Sequence, residues 1–292
     1  MPNQENNFRL RLKFWGVRGS TPTPQIENLS YGGNTACLEV RLPNNDIFIF
    51  DGGSGVRNLG LSLVEEFKGK TVSATFFLTH YHWDHIQGIP FFAPLYAPEN
   101  KFTFHSFRRG RPGRKGEPEL HFDTVREMLE GQMKNPYFPI NFELLPSNRT
   151  FEEIDRDPVK FGHLTIHPFP MNHPQGVRGY RIEAGGAVIV YASDVEHGHS
   201  ELDSVLRDFA QNADILIYDA QYTPEEYQNR RGWGHSTWLE ATRVAKDTNS
   251  KQLILFHHDP SHTDQMFFEV VQQARLHFEN TLGAKEGWVF VL

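Results

Sequence analysis

The sequence predicts an α/β fold in which packed β-sheets are covered by helices, and three observations carry that prediction. Short apolar runs separated by turn residues dominate the start of the chain. From Leu164 onward such runs alternate with segments of helical spacing, a mixture that only sheets with helices on their faces accommodate. Several of the apolar runs also end abruptly in a histidine or an aspartate.

The elements follow in order. Phe8–Trp15 alternates as an edge or meander strand. Thr35–Leu42 and Asp46–Phe50 read as a hairpin around the turn Pro43-Asn44-Asn45. Val56, Leu59, Leu63 and Phe67 have helical spacing, and Ala74–Leu78 is a buried-strand run. Further strands are expected at Leu164–Pro168, Gly179–Glu183, Ala187–Ala192, Asp214–Tyr218, Gln252–Phe256 and Gly287–Leu292. Helices are expected at Ser200–Asn212, Ser236–Thr248 and Thr263–Leu282, with Thr237-x-x-Glu240 in the form of a capping box. The region 98–157 is the least regular. It holds the basic stretch Arg108–Gly116 and a helix expected over Phe122–Met133, and it reads as an insertion over the active-site face, too poor in strands to own a core. With no repeat or linker, residues 1–292 are expected to form one domain.

Composition narrows the class. The chain has 292 residues and a formal charge of −7, which argues against a general nucleic-acid coat protein. Its one cysteine, Cys37, cannot form an internal disulfide, so a reducing, cytoplasmic setting is expected. Met1–Asn7 is polar, unlike a signal peptide, and no apolar run approaches the roughly 18 residues of a membrane helix. The 15 histidines are the compositional oddity.

They cluster in Thr79-His80-Tyr81-His82-Trp83-Asp84-His85, directly after a strand. In a tight loop His80 and His82 can face one cation while Asp84 and His85 turn towards a second; neutral imidazole suits zinc or another first-row metal. Strand ends elsewhere deliver His173, Asp194 and His257, and a carboxylate such as Asp194 can bridge two cations about 3.5–4 Å apart. Asp51-Gly52-Gly53-Ser54-Gly55 lacks the lysine and spacing of a nucleotide-binding loop, so it reads as a tight turn whose Asp51 supports the metal loop by hydrogen bonds. His197, His199 and His262 stand near candidate ligands in sequence and could line a pocket, though isolated histidines of this kind are more often surface residues; Trp83, Phe91 and Phe92 read as pocket walls or core.

This arrangement resembles the metallo-β-lactamase superfamily, over nearly the whole stretch from Phe14 to His258. The resemblance implies a four-layer αββα sandwich with its site at one edge of the two sheets. It implies His80, His82 and His173 on one metal, Asp84, His85 and His257 on the other, and Asp194 between them. His258, adjacent to His257, competes for the last role; His257 is preferred because it comes directly after the strand. Phe14-Trp15-Gly16-Val17-Arg18-Gly19-Ser20-Thr21-Pro22 with Gly32-Gly33-Asn34-Thr35, and Tyr218-Asp219-Ala220-Gln221-Tyr222-Thr223 with Gly234-His235-Ser236-Thr237, resemble the ribonuclease Z-like phosphodiesterases. That branch implies His235 beside the leaving group or scissile phosphate, and Asp219 orienting His235 or a metal ligand. Asp84, His235 and Asp219 are therefore the candidate catalytic residues.

The expected cofactors are two divalent ions, zinc first, with manganese or iron acceptable to the same donors. A water shared by two cations has its pKa lowered to roughly 7, and general-acid assistance from His235 is worth about 10²–10⁴-fold. The long glycine-proline arm with which ribonuclease Z grips transfer RNA has no counterpart here, so small or cyclic nucleotides are the expected substrates. No stable nucleic-acid complex and no membrane association are expected, and a homodimer is compatible with the resemblance. Two rivals remain. A hydrolase of carboxylic esters, thioesters or lactones would not need the Gly-His-Ser-Thr histidine, and a metal-stabilised binding or sensor protein would not need every candidate donor retained.

Overall fold

The computed structural model describes residues 9–112 and 120–292. Met1–Phe8, including the expected first strand residue, and Gly113–Gly116 of the basic stretch lie outside the described residues.

In chain order, β1 (Arg11–Gly16), β2 (Cys37–Arg41) and β3 (Ile47–Phe50) form an antiparallel meander; α1 (Gly55–Phe67) then leads to β4 (Ser73–Phe77) and β5 (Lys101–Ser106), which pair in parallel. The short α2 (Trp83–Ile86) lies between those two strands. A separate ribbon, β6 (Arg109–Pro112) and β7 (Leu120–Asp123), is followed by α3 (Val125–Gln132) and by β8 (Asn148–Glu153), parallel to β5. The second sheet repeats the plan. Its β9 (Val159–Phe161), β10 (Leu164–Met171), β11 (Val177–Ala184) and β12 (Ala187–Ala192) are antiparallel. Parallel β13 (Ile215–Asp219), β14 (Leu253–Phe256) and β15 (Thr281–Gly283) follow, interleaved with α4 (Ser200–Ala210), α5 (Pro224–Tyr227), α6 (Trp238–Asp247) and α7 (Asp264–His277). Strand β16 (Val289–Val291) returns to pair with β1. Two seven-stranded sheets result, in the orders β16-β1-β2-β3-β4-β5-β8 and β15-β14-β13-β12-β11-β10-β9.

The period of two along each strand divides the side chains between layers. In β3, Phe48 and Phe50 enter the core between the sheets while Ile47 and Ile49 face α1. In β14, Ile254 and Phe256 point inward and Leu253 and Leu255 meet α6 and α7. Strands covered on both faces read as unbroken apolar runs, which is why these were visible without alternation. The layers are therefore helix, sheet, sheet, helix, the expected αββα sandwich. Cys37 is buried in the first sheet, and burial pushes its thiol well up. Among the described residues no helix is long and apolar enough to cross a membrane.

Three expectations need correction. The region 98–157 is not poor in strands: β5 and β8 extend the first sheet, and Phe104 stacks on Phe151 across them with ring centroids 5.8 Å apart. The helix expected from Phe122 starts at Val125, because Phe122 belongs to β7 and Thr124 makes a reciprocal capping box with Glu127. The helix expected to reach Leu282 stops at His277; Phe278 is extended, and Thr281–Gly283 pairs with β14 instead.

Candidate metal centre

The site lies where chain direction puts it. Strands β10, β12, β13 and β14 run the same way in the second sheet, and β3 and β4 share a direction in the first, so their carboxyl ends gather at one edge. Asp51 follows β3, His80–His85 follow β4, His173 follows β10, Asp194 follows β12, Asp219 ends β13 and His257 follows β14. Asp51, Asp194 and His257 have φ of 61°, 58° and 61°, so the chain turns sharply as it leaves three of these strands. Such backbone costs about 1–3 kcal/mol per residue and persists only where the surroundings enforce it.

His80, His82 and His173 form one donor group, and Asp84, His85, Asp194 and His257 form another, the donor atoms of each lying within 4.8 Å of one another. Asp194 faces both. Its Oδ1 is 3.1 Å from His85 Nε2 and 3.2 Å from His257 Nε2, while its Oδ2 is 3.7 Å from His80 Nε2 and 3.9 Å from His173 Nε2. Asp84 Oδ2 is 3.1 Å from His257 Nε2 and accepts a 2.7 Å hydrogen bond from the Ser20 amide. All but the half-buried His82 are buried.

Four of the five histidines, all but His82, are oriented by their other nitrogen. His85 Nδ1 donates to Asp51 Oδ2 at 2.8 Å, His257 Nδ1 to Gln221 Oε1 at 2.8 Å, and His173 Nδ1 to the Gly234 carbonyl at 2.7 Å. The Thr79 hydroxyl donates to Asp51, so it accepts from His80 Nδ1 at 3.0 Å. Asp51 also accepts from the Thr79 amide and the Tyr191 hydroxyl, each at 2.8 Å, the supporting role expected of it. Anchors of this kind fix the tautomer and aim the Nε2 lone pair.

The aimed atoms fit divalent cations. His85 Nε2 and His257 Nε2 meet at 3.4 Å with both Nδ1 atoms already donating, so a proton or a cation must lie between them. His80 Nε2 is buried with no hydrogen-bond partner. Donors about 2.0–2.1 Å from a tetrahedral ion stand roughly 3.3–3.4 Å apart, close to the spacings around Asp194 Oδ1. The charges agree. Burial, reinforced by His85, pushes His80 well below the usual imidazole range, and burial holds His173 down at about 4, so both offer lone pairs. Burial opposes the charge of Asp194, but His257 and His85 outweigh it and hold the carboxyl well below its usual range.

His235 stands beside this cluster. Its Nδ1 donates to Asp219 Oδ2 at 2.8 Å and lies 4.0 Å from Asp194 Oδ2. Burial disfavours the charged ring, yet the charge and hydrogen bond of Asp219 prevail and hold its pKa at about 9. Asp219 also accepts from the amides of Gln221, Ser236 and Val195, which fixes it from three elements. His258 is excluded from the cluster: it lies buried against Phe267, ring centroids 3.6 Å apart.

Other expectations divide. His262 is buried against Glu226 at 2.9 Å rather than exposed, His199 is exposed and caps α4, and half-buried His197 meets Ser236 Oγ at 2.8 Å. Thr237 caps α6, but the Glu240 carboxylate goes to Arg207 at 2.7 Å, so the capping box is half made. Phe92 is core, whereas Phe91 and Trp83 are 57% and 75% exposed. The basic stretch reaches the site through Arg109, which donates to Gln175 at 2.7 Å and borders His80 and His82. Three residues escaped sequence reasoning. Gln221 stands two positions after Asp219 and anchors His257. Gly234 offers its carbonyl to His173. Glu196, two positions after Asp194, accepts from the amides of Gly232 and Gly234 at 2.6 and 2.8 Å. Their spacing to recognised residues was the available signal.

Comparison with known proteins places this geometry. A family model described as a beta-lactamase superfamily domain matches residues 50–258. The chain is 25% identical over 300 residues to Ribonuclease Z of Pyrococcus furiosus, covering 88% of this chain and 89% of that protein. Among solved structures it resembles the metallo-beta-lactamase fold protein YhfI from Bacillus subtilis, with a TM-score of 0.70 and 20% identity over 97% of this chain and 99% of the other. It also resembles a diphosphatase of the PhnP family, with a TM-score of 0.68 and 16% identity over 97% of each. The structural likenesses show the metallo-β-lactamase fold, and the family model spans every donor from His80 to His257: the chain belongs to the beta-lactamase superfamily.

Proposed function

We propose that this protein hydrolyses phosphodiester bonds, in small or cyclic nucleotides, with two divalent ions. The observation that carries the reading is the placement of the His235–Asp219 pair against a two-part donor cluster that meets at Asp194. His80, His82 and His173 would hold one ion, Asp84, His85 and His257 the other, with Asp194 shared; zinc suits this donor set, and manganese or iron is compatible with it. Bound ions supply a nucleophilic hydroxide at neutral pH and neutralise the charge growing on phosphoryl oxygens.

The chain's own residues supply the rest. Asp219 fixes His235 by its Nδ1, which leaves Nε2 to carry a proton to the leaving oxygen. Against burial, Asp219 holds the His235 pKa at about 9, so the ring carries the proton it would donate at neutral pH. Asp51, Gln221 and the Gly234 carbonyl keep three ligand rings from rotating. The similarity to Ribonuclease Z and to a diphosphatase supports phosphorus–oxygen bonds as the target. A carboxylic ester or lactone hydrolase would give His235 and Asp219 no evident task.

The test is metal content per chain coupled to cleavage of bis-p-nitrophenyl phosphate by wild type, Asp194→Ala and His235→Ala. Two ions per wild-type chain, and activity lost in both variants, are expected. Two ions without phosphodiester cleavage, together with turnover of a thioester or lactone, would overturn the reading.

A further inference from the structure

Two exposed indoles stand next in sequence to cluster residues, and among the described residues neither makes a ring contact or a side-chain hydrogen bond. Trp83 stands between His82 and Asp84 and is 75% exposed; Trp233 precedes Gly234 and His235 and is 63% exposed. Two short contacts connect their positions across the rim: His82 Nδ1 lies 3.2 Å from His173 Nε2, and His173 Nδ1 donates to the Gly234 carbonyl at 2.7 Å. The remaining tryptophans have tasks inside the chain. Trp15 donates to Glu39 at 2.7 Å, Trp238 packs on His277, and Trp288 packs on Phe290.

The Trp233 loop is also held firm. Glu196 is buried, and its carboxylate accepts from the amides of Gly232 and Gly234 and from the Tyr227 hydroxyl at 3.1 Å. Gly232 and Gly234 adopt φ of 85° and 90°, which side chains resist, and a Cβ on Gly234 would approach His173 Nδ1 to 2.3 Å. A loop so constrained presents its indole at little further entropic cost. The same loop exposes Arg231, a cation suited to phosphate.

We propose that Trp83 and Trp233 form a subsite for the base of a nucleoside phosphodiester. An indole face stacks on any flat π-system and is indifferent to base identity, so the subsite selects nucleotides as a class. The assignment of the neighbouring centre to a phosphodiester rests on the function proposed above; the stacking does not.

The experiment is calorimetric binding of adenosine 5′-monophosphate and of ribose 5-phosphate to the metal-loaded chain, in wild type, Trp83→Ala, Trp233→Ala and the two Trp→Phe variants, with sedimentation of each. Each alanine variant is expected to bind the nucleotide about tenfold more weakly and ribose 5-phosphate as wild type does, and phenylalanine is expected to restore most of the loss. Equal binding of the two probes in every variant would overturn the proposal. So would variants that change only the sedimentation coefficient, which would assign the indoles to an interface between copies of this chain. Indole-dependent binding without cleavage of any diester would sink the function and keep the subsite; cleavage without indole dependence would do the reverse.

Discussion

Asp219 reaches His235 at 2.8 Å while holding three backbone amides, so it is a structural tie and, in the proposed function, a positioning group for His235. Asp219→Asn keeps the size and can keep some of those bonds, but it removes the charge that stabilises protonated His235. We expect kcat to fall about 10²-fold with the metal content unchanged, measured by steady-state kinetics alongside metal analysis. Gln221→Ala should act differently, because His257 then loses its anchor: chelator titration should show metal affinity weakened about 10–100-fold. A third residue acts on stability alone. His105 is buried with neither ring nitrogen bonded, stacked on Phe77 at 4.8 Å, and burial lowers its pKa to about 4. The unfolded chain therefore binds a proton that the folded chain refuses, and stability falls as the pH drops from about 6.5 to 4. In His105→Phe this contribution vanishes; denaturant unfolding at pH 7 and pH 4.5 should show wild type losing on the order of 2 kcal/mol more than the variant.

Elements were legible in proportion to how completely they are buried. Ala187–Ala192 and Leu253–Phe256 are covered on both faces, so an unbroken apolar run announced them. The short edge strand Thr281–Gly283 carries no such run, and the helical pattern of α7 continued across it in sequence; only pairing with β14 ends the helix. Likewise β5 and β8 looked like parts of an insertion, because β5 pairs in parallel with the earlier β4 and β8 joins the sheet only through β5, across the intervening ribbon. The donors from His80 to His85 were legible as text because they share one loop. His257 could be chosen over His258 only by its position after the strand, and the reason for the difference, a packed His258–Phe267 pair, is tertiary. Gln221 and Glu196 act on loops distant in sequence, so their spacing to Asp219 and Asp194 marked their positions but not their partners. At this scale α6 offers a test. Thr237→Ala removes the cap that accepts from the Glu240 amide, so urea unfolding should show about 1 kcal/mol lost, with activity reduced far less than in His235→Ala.

Across the whole molecule the candidate donors come from both sheets: His80–His85 from the first, and His173, Asp194 and His257 from the second. The Tyr191–Asp51 bond and the Tyr180–Leu78 bond, at 2.8 and 2.6 Å, already stitch the sheets at this edge. Bound ions would add a second fastening. Chelation should therefore lower the unfolding temperature by about 5–10 °C in calorimetry, and the shift should be much smaller in Asp194→Ala. The opposite edge of the first sheet is free of these demands: the β2–β3 turn at Pro43–Asn45 is exposed there, while β3 runs away from it towards Asp51. Cys37, the chain's one cysteine, is shut inside the sheet with its thiol disfavoured as an anion. For thiol-directed reagents the folded surface is thus a blank page, and Asn44→Cys would write a single address on it, through which a dye or a solid support could be attached with the donor-bearing edge facing outward.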